Sequence, residues 1–303
     1  MAHLNINQVV NVEGLVALVT GGGTGIGLMM AKGLAVNGAK VYIGGRRKDV
    51  LDKAAAENGQ GIKGQIVPIQ LDVANKESIE SAVGFISSND GKLDILINNA
   101  GIASSFTSFF LDPSAPDYNS GESLGNGLFS WSSFEDWSNM FSVNTTAAFF
   151  VSMAFLGLLE KGSKAREADT GGWSSSIINI SSVAGQLKQV QTHFAYNLSK
   201  AAMNHLTKML STELALRNIP IRVNSIAPGP FPSEITRLEG SVFMPDKIDS
   251  VLNGITTFRM ERGGLDKDIV GTAIYLSSPA SYFVNGQIIT LDGGYSTVNP
   301  AVA

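Results

Sequence analysis

Residues 15–27 read LVALVTGGGTGIG. Leu15–Thr20 is an apolar, β-rich run, and Gly25–Asn37 has helical character. The stretch is therefore a strand, a glycine-rich turn and a helix start. Backbone N–H groups at such a helix start point outward, and the helix dipole favours an anion there. Glycine permits the tight turn and lets the backbone approach a pyrophosphate closely. Standing alone, the motif is weak evidence, since a compact strand–helix connection is the alternative. Its place after the first strand of an alternating pattern is what turns the reading toward a phosphate cradle.

The alternation runs on through the chain. Lys40–Ile43 is a second strand, followed by a helix over about Lys48–Glu57. Gln65–Gln70 is a third, with a helix over about Lys76–Ser87, and Leu93–Ile97 is a fourth. Ser176–Ile180, Ile221–Ile226 and Gln287–Leu291 supply three more. Short apolar strands alternating with helices predict an α/β fold: a doubly wound, seven-stranded parallel sheet with helices on both faces. No repeat or composition break marks a second domain, so residues 1–303 are expected to form a single domain.

Two stretches break the pattern. Ser104–Ser133 is rich in Ser, Pro, Gly and aromatics, with no helical or strand period, and reads as a long inserted loop. Lys161–Ser175 is polar and glycine-bearing, and reads as a surface loop.

Composition narrows the function. Hydrophobic residues make up 44% of the 303, and charged residues 16%. That suits a sizeable core and excludes disorder. The net charge is −4, and Arg46-Arg47-Lys48 is the longest basic run, so no nucleic-acid partner is expected. There is no cysteine, which excludes disulfides and thiolate metal sites and fits a reducing compartment. His3, His193 and His205 have no ligand spacing, so no metal site is expected. The opening MAHLNINQVV lacks the pattern of a secretory signal, and the apolar runs are short for a bilayer. A cytoplasmic protein with no membrane partner is the expectation.

The glycines fall at Gly21, Gly25 and Gly27, giving T-G-x-x-x-G-x-G. This spacing resembles that of the short-chain dehydrogenase/reductase family, and the likeness runs from about Gly14 to Tyr295. It implies a Rossmann fold whose turn, Thr20, Gly21, Gly23, Thr24, Gly25, Ile26 and Gly27, holds a dinucleotide. The second strand ends VYIGGRRK, with Gly45 where NAD-dependent members usually carry aspartate. Arg46 and Arg47 follow, and a guanidinium makes charge-assisted bonds to phosphate, so NADP(H) is expected over NAD(H). Two solvated arginines at a helix start are the alternative. The resemblance puts Asp72 and Val73 on the adenine; Asp72 also reads as an N-cap for the next helix. Asn99, Ala100 and Gly101, in NNAG, would let the cofactor lie against the backbone.

AYNLSK, residues 195–200, sets Tyr196 four places before Lys200 on one helix face. A cation there stabilises phenolate and lowers the phenol's pKa, which suits acid–base work. By itself the pair is also an ordinary amphipathic spacing. The resemblance implies Tyr196 as proton donor or acceptor and Lys200 as partner of the nicotinamide ribose. It implies a catalytic serine in Ile180–Gly185, where Ser182 is preferred to Ser181. Ser182 lies one residue further from Tyr196 than the usual spacing, which an insertion around Lys188–Thr192 would absorb. Asn144 matches an asparagine that holds a relay water; a structural amide is the alternative. Pro228, Gly229 and Ser233 match the segment at the nicotinamide carboxamide. His193 is expected at the surface or pocket wall, and His205 packed.

Phe231–Arg262 lies where the family carries a substrate lid. Its Phe231, Phe243, Met244, Phe258 and Met260 suit an apolar substrate or the lid's own core equally. The 104–133 insertion is expected to shape the pocket mouth. Helices near Thr145–Leu159 and Tyr196–Leu216 match the interface of family dimers and tetramers. With Ala147, Phe150, Met209 and Leu216 outward, they imply a homotetramer or homodimer. APGPFPSEIT and LDGGYS look most like microbial and fungal ketoreductases, including 3-oxoacyl-carrier-protein reductases. The expectation is an NADP(H)-dependent oxidoreductase interconverting a small-molecule carbonyl and a secondary alcohol. The rivals are an NAD-dependent alcohol dehydrogenase with the same site and a catalytically silent dinucleotide-binding regulator.

Overall fold

The computed structural model describes residues 4–103, 114–115, 119–166, 173–190, 194–233 and 262–298. Seven parallel strands form one sheet: β1 Val16–Thr20, β2 Lys40–Gly45, β3 Gln65–Gln70, β4 Ile95–Asn98, β5 Ser175–Ile180, β6 Ile221–Pro228 and β7 Ile288–Leu291. Their order is β3-β2-β1-β4-β5-β6-β7. The direction of winding reverses between β1 and β4, which pair Ala17 with Ile95 and Val19 with Ile97. That reversal opens a crevice at the carboxyl ends of the two strands.

Alternation along each strand divides the core in two. Val19, Val41, Ile43, Ile97, Ile178 and Ile226 pack on one face beneath the helices α2, Gly25–Val36, and Asp266–Ser277. Leu18, Leu96, Ile177 and Val223 face the other way, against Val151, Phe155, Leu159, Leu210 and Leu214. Those come from α7, Ala147–Arg166, and α8, Phe194–Leu216. Burial on both faces is why these strands read as unbroken apolar runs. Each such side chain contributes about 1.5–3 kcal/mol by leaving water. Arg222 is buried too, and burial lowers its pKa to about 10. Its donors are spent on Ser174, Leu276 and Ser281, tying β6 to the end of helix Asp266–Ser277.

Three expectations need correction. The 104–133 insertion is not loop throughout: α5 spans Gly121–Trp131 and α6 starts at Phe134. Both open on capping boxes, Ser120 with Ser123 and Ser133 with Asp136. Gly121, Gly125 and Gly127 depress helix propensity and hid α5. Residues 161–166 are not a surface loop but the last turns of α7, with Ser163 buried and donating to the Pro220 carbonyl. Ala147 does not face outward; it is buried, whereas Phe150, Met209 and Leu216 are exposed. Residues 104–113 and 116–118 of the insertion and 234–261 of the lid, with Phe243, Met244, Phe258 and Met260, lie outside the described residues, as do His3 and His193.

α6, Phe134–Phe141, a π turn at Ser142–Thr146 and α7 join into one helical run, Phe134–Arg166. By length and composition alone it qualifies as a membrane span, contrary to the expectation from apolar runs. Val151, Phe155, Leu158 and Leu159 bury its apolar face in the protein core.

Candidate active site

β1 and β4 deliver the glycine turn and NNAG side by side. The Thr20 hydroxyl donates to the Ile97 carbonyl at 3.3 Å and accepts from the N–H groups of Asn99 and Ala100, each at 3.0 Å. The Asn99 amide donates back to the carbonyls of Thr20 and Gly21 at 2.9 and 3.1 Å. Both side chains are consumed in shaping the turn, so they build the cradle from within. Gly21 and Gly25 have φ of +64° and +52°, a region that favours glycine. A Cβ at Gly27 would stand 2.3 Å from the Gly21 carbonyl oxygen and 2.4 Å from Asn99 Nδ2. The turn thus tolerates no side chain there, which fits close approach of a pyrophosphate. Thr24 is the N-cap of α2 and makes no side-chain cap bond. Gly23 and Ile26 are partly buried in the same turn.

The other residues expected at the cofactor sit around it. Arg46 and Arg47 are exposed at the carboxyl end of β2, and Arg47 is the N-cap of α3, Lys48–Asn58. The atoms nearest to a Cβ at Gly45 would be those of Leu51, at 3.5 Å or more, so a Cβ there makes ordinary contact. Asp72 is not the cap of the next helix: Asn75 holds that place, and Asp72 Oδ1 accepts from Ala74 N at 3.0 Å. Val73 packs partly onto the core. On the β6 side, Pro228 ends the strand and Gly229 N donates to the Leu291 carbonyl at 2.9 Å. Ser233 Cβ lies 3.2 Å from where a Cβ at Gly25 would be, bringing the two segments together. Phe231 is buried in the core and lies close over Gly264.

The groups expected to handle a proton converge beside this cradle. Tyr196 is hydrogen-bonded to Ser182, whose Oγ also accepts from Ala184 N at 3.1 Å. Ser181 instead donates to the Lys200 carbonyl at 3.0 Å from a buried position. The neighbouring Gly185 lets the serine turn touch α8; a Cβ there would stand 2.6 Å from the Lys200 carbonyl carbon. Lys200 is buried, and its Nζ donates to the Ile180 carbonyl at 2.9 Å. At Gly101 an added Cβ would meet Asn144 Oδ1 at 3.2 Å and Lys200 Nζ at 3.6 Å, so both reach the NNAG backbone. Asn144 sits fully buried in the π turn, a helix irregularity frequent at functional sites. It accepts from Ile102 N at 2.8 Å and donates to Ile102 O at 3.0 Å. His205 lies in the body of α8.

One expectation about charge is corrected. Burial raises the Tyr196 phenol's pKa, and the bond to Ser182 offsets that only partly. Lys200 Nζ stands 5.7 Å from the Tyr196 ring centre, and burial lowers the ammonium itself to about 8. Desolvation of the phenol therefore outweighs any lowering by the neighbouring cation.

Comparison with known proteins identifies the family. The short chain dehydrogenase family matches residues 15–241. Short-chain dehydrogenase/reductase PhomF of Diaporthe leptostromiformis is 38% identical, over 96% of this chain and 94% of its own. Gluconate 5-dehydrogenase of Gluconobacter oxydans is 33% identical, over 94% and 95%. Among solved structures, the Pseudomonas aeruginosa RhlG/NADP active-site complex superposes with a TM-score of 0.75 at 29% identity, covering 95% of this chain and 98% of that one. The chain belongs to the short-chain dehydrogenase family and is an NAD(P)-dependent oxidoreductase of CH–OH and C=O groups.

Proposed function

We propose that this protein is an NADP(H)-dependent ketoreductase in which Tyr196 gives the proton. The hydrogen bond between Tyr196 and Ser182, beside a cradle reached by Lys200 and Asn144, is the observation that carries the reading. The Thr20–Gly27 turn would hold the pyrophosphate, Arg46 and Arg47 the 2′-phosphate, and Asp72 and Val73 the adenine. Asn99, Ala100, Gly101 and Lys200 would line the nicotinamide ribose, and Pro228, Gly229 and Ser233 the carboxamide. When bound, reduced nicotinamide supplies the hydride. A phenol pushed above its ordinary pKa keeps its proton through neutral pH, which suits a donor to an oxygen that is becoming an alkoxide. Ser182 Oγ would hydrogen-bond that oxygen as its charge develops. Lys200, largely protonated below about pH 8, is the proton reserve behind Tyr196, with Asn144 lying between it and the Gly101–Ile102 backbone. NADPH consumption over a panel of ketones tests the reading; no turnover with any of them, despite dinucleotide binding, would leave a silent binding protein.

The case for NADP(H) rests on Gly45 and the exposed Arg46, and gains from the likeness to a protein solved with NADP. Gly45→Asp adds a carboxylate that repels the 2′-phosphate and can bond ribose hydroxyls. A Cβ there makes ordinary contact, so the fold should stay intact. The expected result is a swing of roughly 10–100-fold in the ratio of kcat/KM for NADPH to that for NADH, toward NADH, at the 1.4–3 kcal/mol typical of bonds to charged groups. A parent that already prefers NADH would overturn this part of the reading.

Copies of the chain would assemble through α7 and α8, where Phe149, Phe150, Met209 and Leu216 stand exposed together with Leu198. Sedimentation velocity is expected to give a dimer or tetramer, and Phe150→Glu to shift it toward the monomer. A parent that sediments as a monomer would remove the proposal.

A further inference from the structure

We infer that Ser199 is a positioning residue that couples the cofactor-side loop Gly101–Ile102 to the catalytic turn of α8. The inference rests on the proposed role of Tyr196. Ser199 lies between Tyr196 and Lys200 and is fully buried. Its hydroxyl donates to the Tyr196 carbonyl at 2.7 Å and accepts from Asn144 Nδ2 at 3.1 Å. Asn144 Nδ2 has three acceptors within reach: Ser199 Oγ, the Ile102 carbonyl at 3.0 Å and the weakly accepting Met140 sulfur at 3.0 Å. It has two hydrogens, and the two oxygens are the better partners. An oriented chain results, from Ile102 through the Asn144 amide and the Ser199 hydroxyl to the backbone of Tyr196.

Such a chain does more than fill space. Each donor polarises the next, and every member is buried or half-buried, where hydrogen bonds are strong and unmade ones are costly. A serine bonded back to the carbonyl three residues earlier also bends a helix locally. Here that bond lies between the phenol-bearing and ammonium-bearing residues. Thr145 adds a second tie, its Oγ1 donating to the Ser199 carbonyl at 2.8 Å. The π turn thus grips the same residue twice and, through Asn144, grips the loop on the other side.

The readout is amide exchange of Ile102, whose N–H is held by Asn144 Oδ1 at 2.8 Å. It is measured on protein labelled with 15N-isoleucine, without cofactor or substrate. Ser199→Ala is expected to speed exchange at Ile102 about tenfold or more, leave Ile95 and Ile97 of β4 unchanged, and lower kcat with NADPH about tenfold at a nearly constant KM. Ser199→Thr, which keeps the hydroxyl, should restore both the slow exchange at Ile102 and kcat. Unchanged exchange at Ile102, or equal acceleration at Ile95 and Ile97, would overturn the coupling. If Ser199→Ala fails to fold, Thr145→Val is measured instead. A two- to fivefold acceleration confined to Ile102 supports the coupling, and none refutes it. Because exchange is read without turnover, these outcomes stand apart from the ketoreductase reading, which fails if the parent consumes no NADPH.

Discussion

Tyr196→Phe is expected to reduce carbonyls about a thousandfold more slowly than the parent while binding NADPH as before. Positioned acid–base groups contribute about 10²–10⁴-fold to rates, and no other phenol or carboxyl joins Ser182 among the contacts described at this site. The ring is kept, so its packing is conserved and only the hydroxyl goes. Its loss leaves Ser182 without that partner but with its bond to Ala184 N, so the serine turn should hold its shape. The raised pKa of the phenol adds a direction. The parent's reduction rate should not fall at low pH through loss of an ionised tyrosine, because the working form is the neutral one. The measurement is a pre-steady-state rate of NADPH oxidation with the best ketone found, beside a fluorescence titration of NADPH. A variant as fast as the parent would remove Tyr196 from the chemistry, and one that no longer bound NADPH would make it a cofactor residue first.

Much of this site was legible in the sequence because local chemistry dictates it. The turn after β1 needs glycine where φ is positive at Gly21 and Gly25 and where Gly27 touches backbone, so the glycines announce the cradle. Apolar strands buried on both faces announce the sheet. Tyr196 and Lys200 share a helix face by spacing alone. What stayed hidden depends on long-range contact. Nothing in the spacing says that the Thr20 and Asn99 side chains are used internally, 79 residues apart. Nothing local shows that burial would raise the phenol against the pull of a cation. Ser199 looks like any helix serine until Asn144, 55 residues away, is seen to donate to it. The capping boxes at Ser120 and Ser133 were readable as serines followed three residues later by a side chain that bonds back, but glycines masked the first helix. Ala147 carries no sign of which way it faces, since alanine serves either side of a helix.

Lys200→Met is expected to abolish reduction and yet to make the protein more stable at neutral pH. The ammonium is buried, and burial alone lowers its pKa from 10.5 to about 8. Holding it charged below pH 8 costs the folded state about 3 kcal/mol relative to the unfolded chain. Methionine has a similar unbranched length and no charge to desolvate. The variant loses the bond from Nζ to the Ile180 carbonyl, worth about 1 kcal/mol net. A gain of about 1–2 kcal/mol at pH 7 remains. The gap must close as pH rises, and it changes sign above about pH 10, where the desolvation cost is gone and only the lost bond to Ile180 remains. Between about 8 and 10.5 the unfolded lysine still binds its proton and the folded one does not, so the parent gains stability as pH rises. The variant has no such group and stays flat. Urea unfolding at pH 7 and pH 10 should therefore show the variant ahead at the first and level at the second. A variant less stable at both values, or ahead by the same margin at both, would mean that the ammonium is not strained in the folded protein. A lysine buried at this position is a stability cost, which the proposed role as proton reserve behind Tyr196 would explain: it is held where water cannot solvate it, next to the backbone a nicotinamide ribose would touch.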